Sequence, residues 1–136
     1  MARLDRWGAA PGLDDMEVMA ARAFEALPDW VRRACGPLRI VVEDFAEEAV
    51  LDDLGIEDPF ELTGLYDGVA LTERSLDDLP SGPDTVRLYR RPILEEWVDR
   101  GDVALDRLVA HVLVHEIAHH FGWSDDRIAQ IDRWWE

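Results

Sequence analysis

The sequence predicts one α+β domain, in which a small sheet of three or four strands packs against a buried helix. At 136 residues, the chain is long enough for one ordinary domain with its own core. The predicted order is one helix, then the strands, then further helices, which is typical of the α+β class. The apolar residues of segment 105–118 cover most of a helix circumference, which indicates a buried central helix.

The first half of the chain is predicted to contain a helix, a strand and a short helix. Residues 1–12 are expected to form a flexible arm because GAAPG is a cluster of helix breakers, and the domain then occupies residues 13–136. After the arm, apolar side chains recur at helical spacing, with Asp14 or Asp15 as the cap and Pro28 at the end. LRIVVEDF predicts a short buried strand, and AEEAVLDDLG predicts a short helix.

The second half is predicted to contain further strands followed by helices. The pair Asp67 and Gly68 stands between two apolar runs in LTGLYDGVALTE, which predicts a hairpin. Apolar and polar residues alternate in TVRLYRR, which predicts a half-buried strand. Pro92 is expected to open a short helix, a long helix should run from about Val103 to Phe121, and DDRIAQIDRWW predicts a last helix.

The charge of the chain limits the partners that it can have. Fourteen arginines, no lysine and thirty acids give a net charge of −16, so nucleic acids and anionic membranes are poor partners. Metal cations and basic peptides are better ones, and the sequence does not indicate an oligomeric state. Between Arg39 and Arg74 lie eleven acids and no base, which form either a solvated surface or a docking patch.

Three further features of the sequence concern location and the single cysteine. No apolar run approaches the roughly 20 residues that span a bilayer. The N-terminal sequence lacks the apolar region of a secretory signal, so a cytoplasmic location is expected. Cys35 is expected to be a small buried apolar residue rather than a catalytic thiol.

All four histidines lie within residues 111–120 of the predicted central helix. His115 and His119 are four residues apart, so they lie one above the other on one face and can bind one Zn²⁺. Glu116 is one step round the helix and can reach a water beside the metal without being a ligand. HEIAH therefore matches the H-E-x-x-H pattern of zinc metallopeptidases. The alternative is two histidines without a metal role on an unrelated helix.

The other two histidines have weaker predictions. His111 lies a full turn before His115 and either supports the metal site or is a packed histidine. His120 points about 100° away from His119. We expect it to cap carbonyl groups near the C-terminus of the helix, or to orient a neighbouring side chain, rather than to bind metal.

The residues after the helix supply candidate carboxylate ligands. Gly122 can adopt a positive φ and reverse the chain, which would bring Asp125 and Asp126 back toward the metal. Alternatively, Ser124 caps a final helix, and the two acids lie in its first turn. Both arrangements can hold at once for different acids.

Three blocks of the sequence resemble the small bacterial minimal zincin-like metallopeptidases: GLYDGVALTERS, VRLYRRPI and HEIAHHFGWSDD. The resemblance covers about Leu38 to Ile131, and it implies a compact zincin core with a small sheet packed on the H-E-x-x-H helix. The last block is also similar to the metzincin pattern H-E-x-x-H-x-x-G-x-x-H, with Asp125 in place of the third histidine. The methionines are residues 1, 16 and 19, so no methionine follows the motif, and only seventeen residues follow His119. A truncated cleft with a narrow substrate range is expected.

The predicted function is zinc-dependent hydrolysis of peptide bonds. His115, His119 and Asp125 are the predicted ligands, with Asp126 as a partner for a histidine or for free backbone N–H groups. Glu116 is the predicted general base. The alternative is a metal-stabilised protein-binding module without enzymatic activity.

Substrate contacts are predicted from the strands. An extended and basic peptide is expected to add to the edge of the sheet along TVRLYRR. Tyr66 and Tyr89 are candidate donors to the oxyanion, although packing in the core is the favoured role for each.

Overall fold

The computed structural model describes residues 10–68 and 84–122. Its helices are α1 (Leu13–Glu25), α2 (Asp29–Cys35), α3 (Glu48–Leu54), α4 (Arg90–Arg100) and α5 (Leu105–His120), with a short 3₁₀ turn at Pro59–Glu61. Its strands are β1 (Arg39–Glu43), β2 (Gly64–Asp67) and β3 (Thr85–Tyr89). The α+β class is confirmed, and no helix in these two segments is long and apolar enough to cross a membrane.

The first predicted helix is confirmed as α1, but its ends differ from the prediction. Gly12 is the N-cap residue, and the Asp15 carboxylate accepts a hydrogen bond from the Gly12 N–H at 2.8 Å from within the first turn. The helix ends at Glu25, before Pro28, which instead precedes α2. On the inner face of α1, Met16 and Ala20 are fully buried.

Helix α2 was not predicted, although its ends carry recognisable signals. Pro28 is the N-cap residue, Asp29 lies in the first turn, and Gly36 ends the helix with a φ of 62°. At seven residues it is too short for apolar periodicity to indicate a helix. It places Val31 and Cys35 in the main core.

Strand β3 lies in the centre of the sheet, whose order is β1-β3-β2. It pairs in parallel with β1 and antiparallel with β2. The prediction that TVRLYRR forms an edge for substrate is therefore wrong, because both edges of β3 are already paired. The prediction of a half-buried strand is also wrong, since only Arg87 among its five residues is not buried. One face contributes Val86 and Leu88 to the main core, and the other contributes Tyr89 to a second cluster.

The buried central helix is confirmed as α5. Leu108, Val109 and Leu113 are almost completely inaccessible, and the helix packs against α1 and against the sheet. Strand β1 is less buried than predicted, because only Val42 is fully covered. Among the described strands, β1 lies at the edge of the sheet and pairs only with β3, and its residues other than Val42 are at least partly exposed.

Two other predicted helices are confirmed, with small differences in their bounds. Helix α3 ends at Gly55, whose φ of 69° is left-handed. Helix α4 begins at Arg90, two residues before Pro92, and the proline lies in the first turn, where its missing N–H costs little. The return strand of the predicted hairpin, the last helix and residues 1–9 of the N-terminal arm lie outside the described residues.

Candidate metal centre

Two side chains of the predicted site come together on α5. The Nε2 atoms of His115 and His119 lie 3.2 Å apart, and the planes of their rings are 76° apart. Two nitrogens bound to one tetrahedral zinc at about 2.05 Å lie about 3.3 Å apart. The separation of the two Nε2 atoms therefore fits two ligands of one zinc ion.

Glu116 lies beside this pair on the next row of the helix. It is only 8% exposed, and it shares its row with Val112 and His120 because residues four apart are stacked on one face. This row faces β2. A Cβ atom placed on Gly64 would lie 2.8 Å from Cγ1 of Val112 and 3.1 Å from Cγ of Glu116. The absence of a side chain at Gly64 thus allows β2 to approach the carboxylate-bearing side of α5.

His120 occupies a buried polar cluster and is only 2% exposed. Its Nε2 donates to the carbonyl oxygen of Cys35 at 3.2 Å, and its Nδ1 lies 3.3 Å from the Tyr66 hydroxyl and 3.2 Å from Oδ2 of Asp84. The Tyr66 hydroxyl donates to the same Asp84 oxygen at 3.0 Å. His120 therefore bonds the carbonyl group of the last residue of α2 and contacts the side chains of Tyr66 and Asp84, an arrangement compatible with the predicted role of orienting a neighbouring side chain.

The remaining histidine lies at the other end of the row that carries the two candidate ligands. His111 is partly buried and lines a cavity of about 450 Å³ together with Asp102 and Arg107. It lies one turn before His115, on the same face of α5. This position is compatible with either of the two predicted roles.

The two tyrosines lie in different surroundings. Tyr89 is 1% exposed and packs with Ala46 and Leu51, and burial, followed by the charge of Glu43, raises the pKa of its phenol to about 12. The structure thus places it in the core. Tyr66 directs its hydroxyl to Asp84 and His120, one helix turn beyond Glu116. This placement favours a structural role over that of an oxyanion donor.

Cys35 is buried, as predicted, and burial raises the pKa of its thiol to about 11. The thiol is therefore protonated at neutral pH, and a thiolate is the form that acts as a nucleophile. In this fold Cys35 contributes a core side chain and a carbonyl acceptor.

The predicted carboxylate ligand cannot be placed next to the histidines. Gly122 has the expected positive φ, of 80°, but Asp125 and Asp126 lie outside the described residues. Residues 10–68 and 84–122 contain no group of three or more potential metal-binding side chains. Within these segments the candidate centre consists of two ligands and one adjacent carboxylate.

Two residues near this centre were not predicted from the sequence. Gly64 carried a recognisable signal, because a glycine inside a strand often marks a close approach of another backbone or side chain. Asp84 carried none. Its contact with His120 depends on the tertiary fold and not on any spacing in the sequence.

Comparison with known families agrees with this geometry. Residues 35–135, which include the three strands and α5, match the zincin-like metallopeptidase family, and the chain belongs to that family. The family resemblance and the zincin-like fold are therefore confirmed. Comparison with curated proteins finds no match.

Proposed function

We propose that the protein is a zinc-dependent metallopeptidase that hydrolyses peptide bonds. The observation that carries this proposal is the 3.2 Å separation of the Nε2 atoms of His115 and His119, with the buried Glu116 adjacent. Membership of the zincin-like metallopeptidase family supports it. His115, His119 and Asp125 would hold the ion.

The residues of α5 have separate tasks in this mechanism. When bound, zinc lowers the pKa of water toward about 7 and polarises a carbonyl group. Glu116 accepts a proton from the attacking water and passes it to the leaving amine. Glu116 is 8% exposed and lies on the row next to that of the two histidines, so in the proposed site it would be adjacent to the ion without being one of its ligands.

An extended peptide is the proposed substrate, and β2 replaces β3 as the strand to which it adds. Among the described strands, β2 pairs with one neighbour, β3, and it is the strand that approaches Glu116 through Gly64. Addition of a peptide to its other side is the alternative to the predicted hairpin, whose return strand would pair there. A peptide strand at that edge would form main-chain hydrogen bonds with β2. The net charge of −16 favours peptides that carry basic side chains.

The test combines zinc content with hydrolysis of a set of extended peptides by purified protein. We expect about one zinc per chain in the wild type and in Glu116→Gln, and little zinc in His119→Ala. Loss of the general base should lower the rate of hydrolysis by at least about a hundredfold in Glu116→Gln. A chelator should abolish hydrolysis by the wild type, and added zinc should restore it.

Two other results would contradict this proposal. Full zinc content in His119→Ala would exclude the histidine pair as the site. A wild type that binds zinc but cleaves no peptide, with Glu116→Gln behaving identically, would favour the metal-stabilised binding module. Glu116 separates these functions, because a purely structural site has no use for a carboxylate that is not a ligand.

A further inference from the structure

His119 lies in the last turn of α5, which ends at His120. The last turn of a helix is the part most prone to fraying, because its carbonyl groups lack partners within the helix. A metal ligand in this turn needs support from outside the helix if its imidazole is to keep one direction. The adjacent residue, His120, makes contacts that supply such support.

The contacts of His120 come from three separate segments of the chain. Cys35 ends α2, Tyr66 belongs to β2, and Asp84 directly precedes β3. Their polar atoms lie within 3.3 Å of the two ring nitrogens, and the ring is almost completely buried. Contacts on both sides of a buried ring leave little freedom for rotation of the last turn about the helix axis.

Strand β2 also contacts α5 at positions whose spacing matches along the two elements. Gly64 faces Glu116 and Tyr66 faces His120, so two residues along the strand match four residues along the helix. Two strand residues span about 6.7 Å, and four helical residues span about 6 Å. The strand and the helix therefore touch at two successive points, and the second of these holds the end of the helix.

We propose that Tyr66, Asp84 and His120 form a clamp that positions His119 for zinc binding. The clamp rests on the proposed function, because it has a role in the reaction only if His119 is a ligand. Its members are positioning residues that act through the backbone of the last turn. The Tyr66–Asp84 hydrogen bond holds both groups in place around the ring of His120.

The test uses the full-length protein and two variants that each remove one donor or one charge. Tyr66→Phe deletes the hydroxyl, and Asp84→Asn removes the carboxylate charge with little change of shape. Zinc affinity is measured by competition with a chromophoric chelator, and amide hydrogen exchange is measured in the metal-free protein. Ile93→Val, a change at a fully buried position in α4, is the control for a general loss of stability.

Both clamp variants should weaken zinc binding by on the order of tenfold, the lower end of the loss typical of groups that orient ligands. The amides of His119, His120 and Phe121 should exchange faster, whereas Ile93→Val should change neither quantity. Unchanged affinity or unchanged exchange in both variants would overturn the clamp and leave the zinc site intact. A wild type that binds no zinc in the same titration would overturn the proposed function itself.

Discussion

A catalytic zinc site takes three ligands from the protein, and in the proposed site two of them, His115 and His119, would come from α5. Asp125 stands in the metzincin position for the third, so Asp125→Ala should weaken zinc binding strongly through loss of a whole ligand. Asp126→Ala should weaken it by about 10–100-fold, as for a group that orients a ligand. Zinc titration of the two variants side by side measures the difference.

The two alanine variants are matched, because they remove the same group at adjacent positions. The opposite order of affinities would assign the third ligand to Asp126. Equal and small losses would exclude both residues. Neither result would affect the argument for His115 and His119, which depends on the geometry of α5.

At the scale of single residues, the sequence predicted the contacts that depend only on local spacing. The approach of His115 to His119 follows from the stacking of helical residues four apart, so the spacing of the two histidines is enough to predict it. The partners of His120 could not be predicted in this way, because Cys35 and Tyr66 lie 85 and 54 positions away in the chain. The direction of its ring is decided by tertiary packing, and no pattern in the sequence encodes it.

At the scale of elements, the contact between β2 and α5 depends on one glycine. Gly64→Ala would place a Cβ atom 2.8 Å from Cγ1 of the buried Val112 and 3.1 Å from Glu116, so the strand or the helix must shift. We expect a loss of about 1–3 kcal/mol of unfolding free energy. Hydrolysis should fall further than this loss of stability explains, because a shift of α5 would also displace Glu116, the proposed general base.

Gly12→Ala is the matched control for this prediction. A Cβ atom there would lie 3.7 Å from Asp15, which is an ordinary contact, and the backbone of Gly12 is extended. Thermal unfolding and peptide hydrolysis of the two variants provide the comparison. A Gly64→Ala variant as stable and as active as Gly12→Ala would show that β2 does not rest against Glu116.

Long helices with one clear apolar periodicity were predicted correctly, whereas the order of the strands in the sheet was not. Helix α5 was expected because its apolar residues cover most of its circumference, and it is buried in the structure. For β3, the alternation of Val86 and Leu88 with polar residues is the same in an edge strand and in a central one. Its central place follows from pairing with β1 and β2, which a local pattern does not contain.

At the scale of the whole molecule, the net charge predicts that basic peptides associate with the protein faster than acidic ones. The exposed acidic side chains of α3 and of the segment after it lie in the stretch between Arg39 and Arg74 that contains no basic residue. In the same stretch, Glu43 and Asp44 form ion pairs with Arg87 and Arg90, each at 2.9 Å. A basic peptide should therefore have a kcat/KM several-fold higher than an acidic one of the same length. The difference should shrink as salt screens the charges, since the Debye length falls from about 10 Å at 0.1 M to about 3 Å at 1 M.

The measurement is kcat/KM for the two peptides over a range of sodium chloride concentrations. Equal values at low salt would remove charge as a basis of selection. A preference for the basic peptide that persisted at high salt would assign the selection to local contacts at the site instead.

The bond between His120 and the carbonyl of Cys35 also bears on the order in which the molecule folds. It joins positions 85 residues apart, and closing so long a loop costs chain entropy that must be offset by other contacts. Helix α5 can begin to form from its own residues, whereas its last turn gains these partners only after the helices and strands before it have assembled. The loop-closure entropy of so distant a contact must be offset before the contact stabilises the chain, which slows its formation. We therefore expect a newly synthesised chain to acquire the proposed zinc affinity only after α2, β2 and β3 have assembled on α5, so that incompletely folded molecules bind zinc weakly.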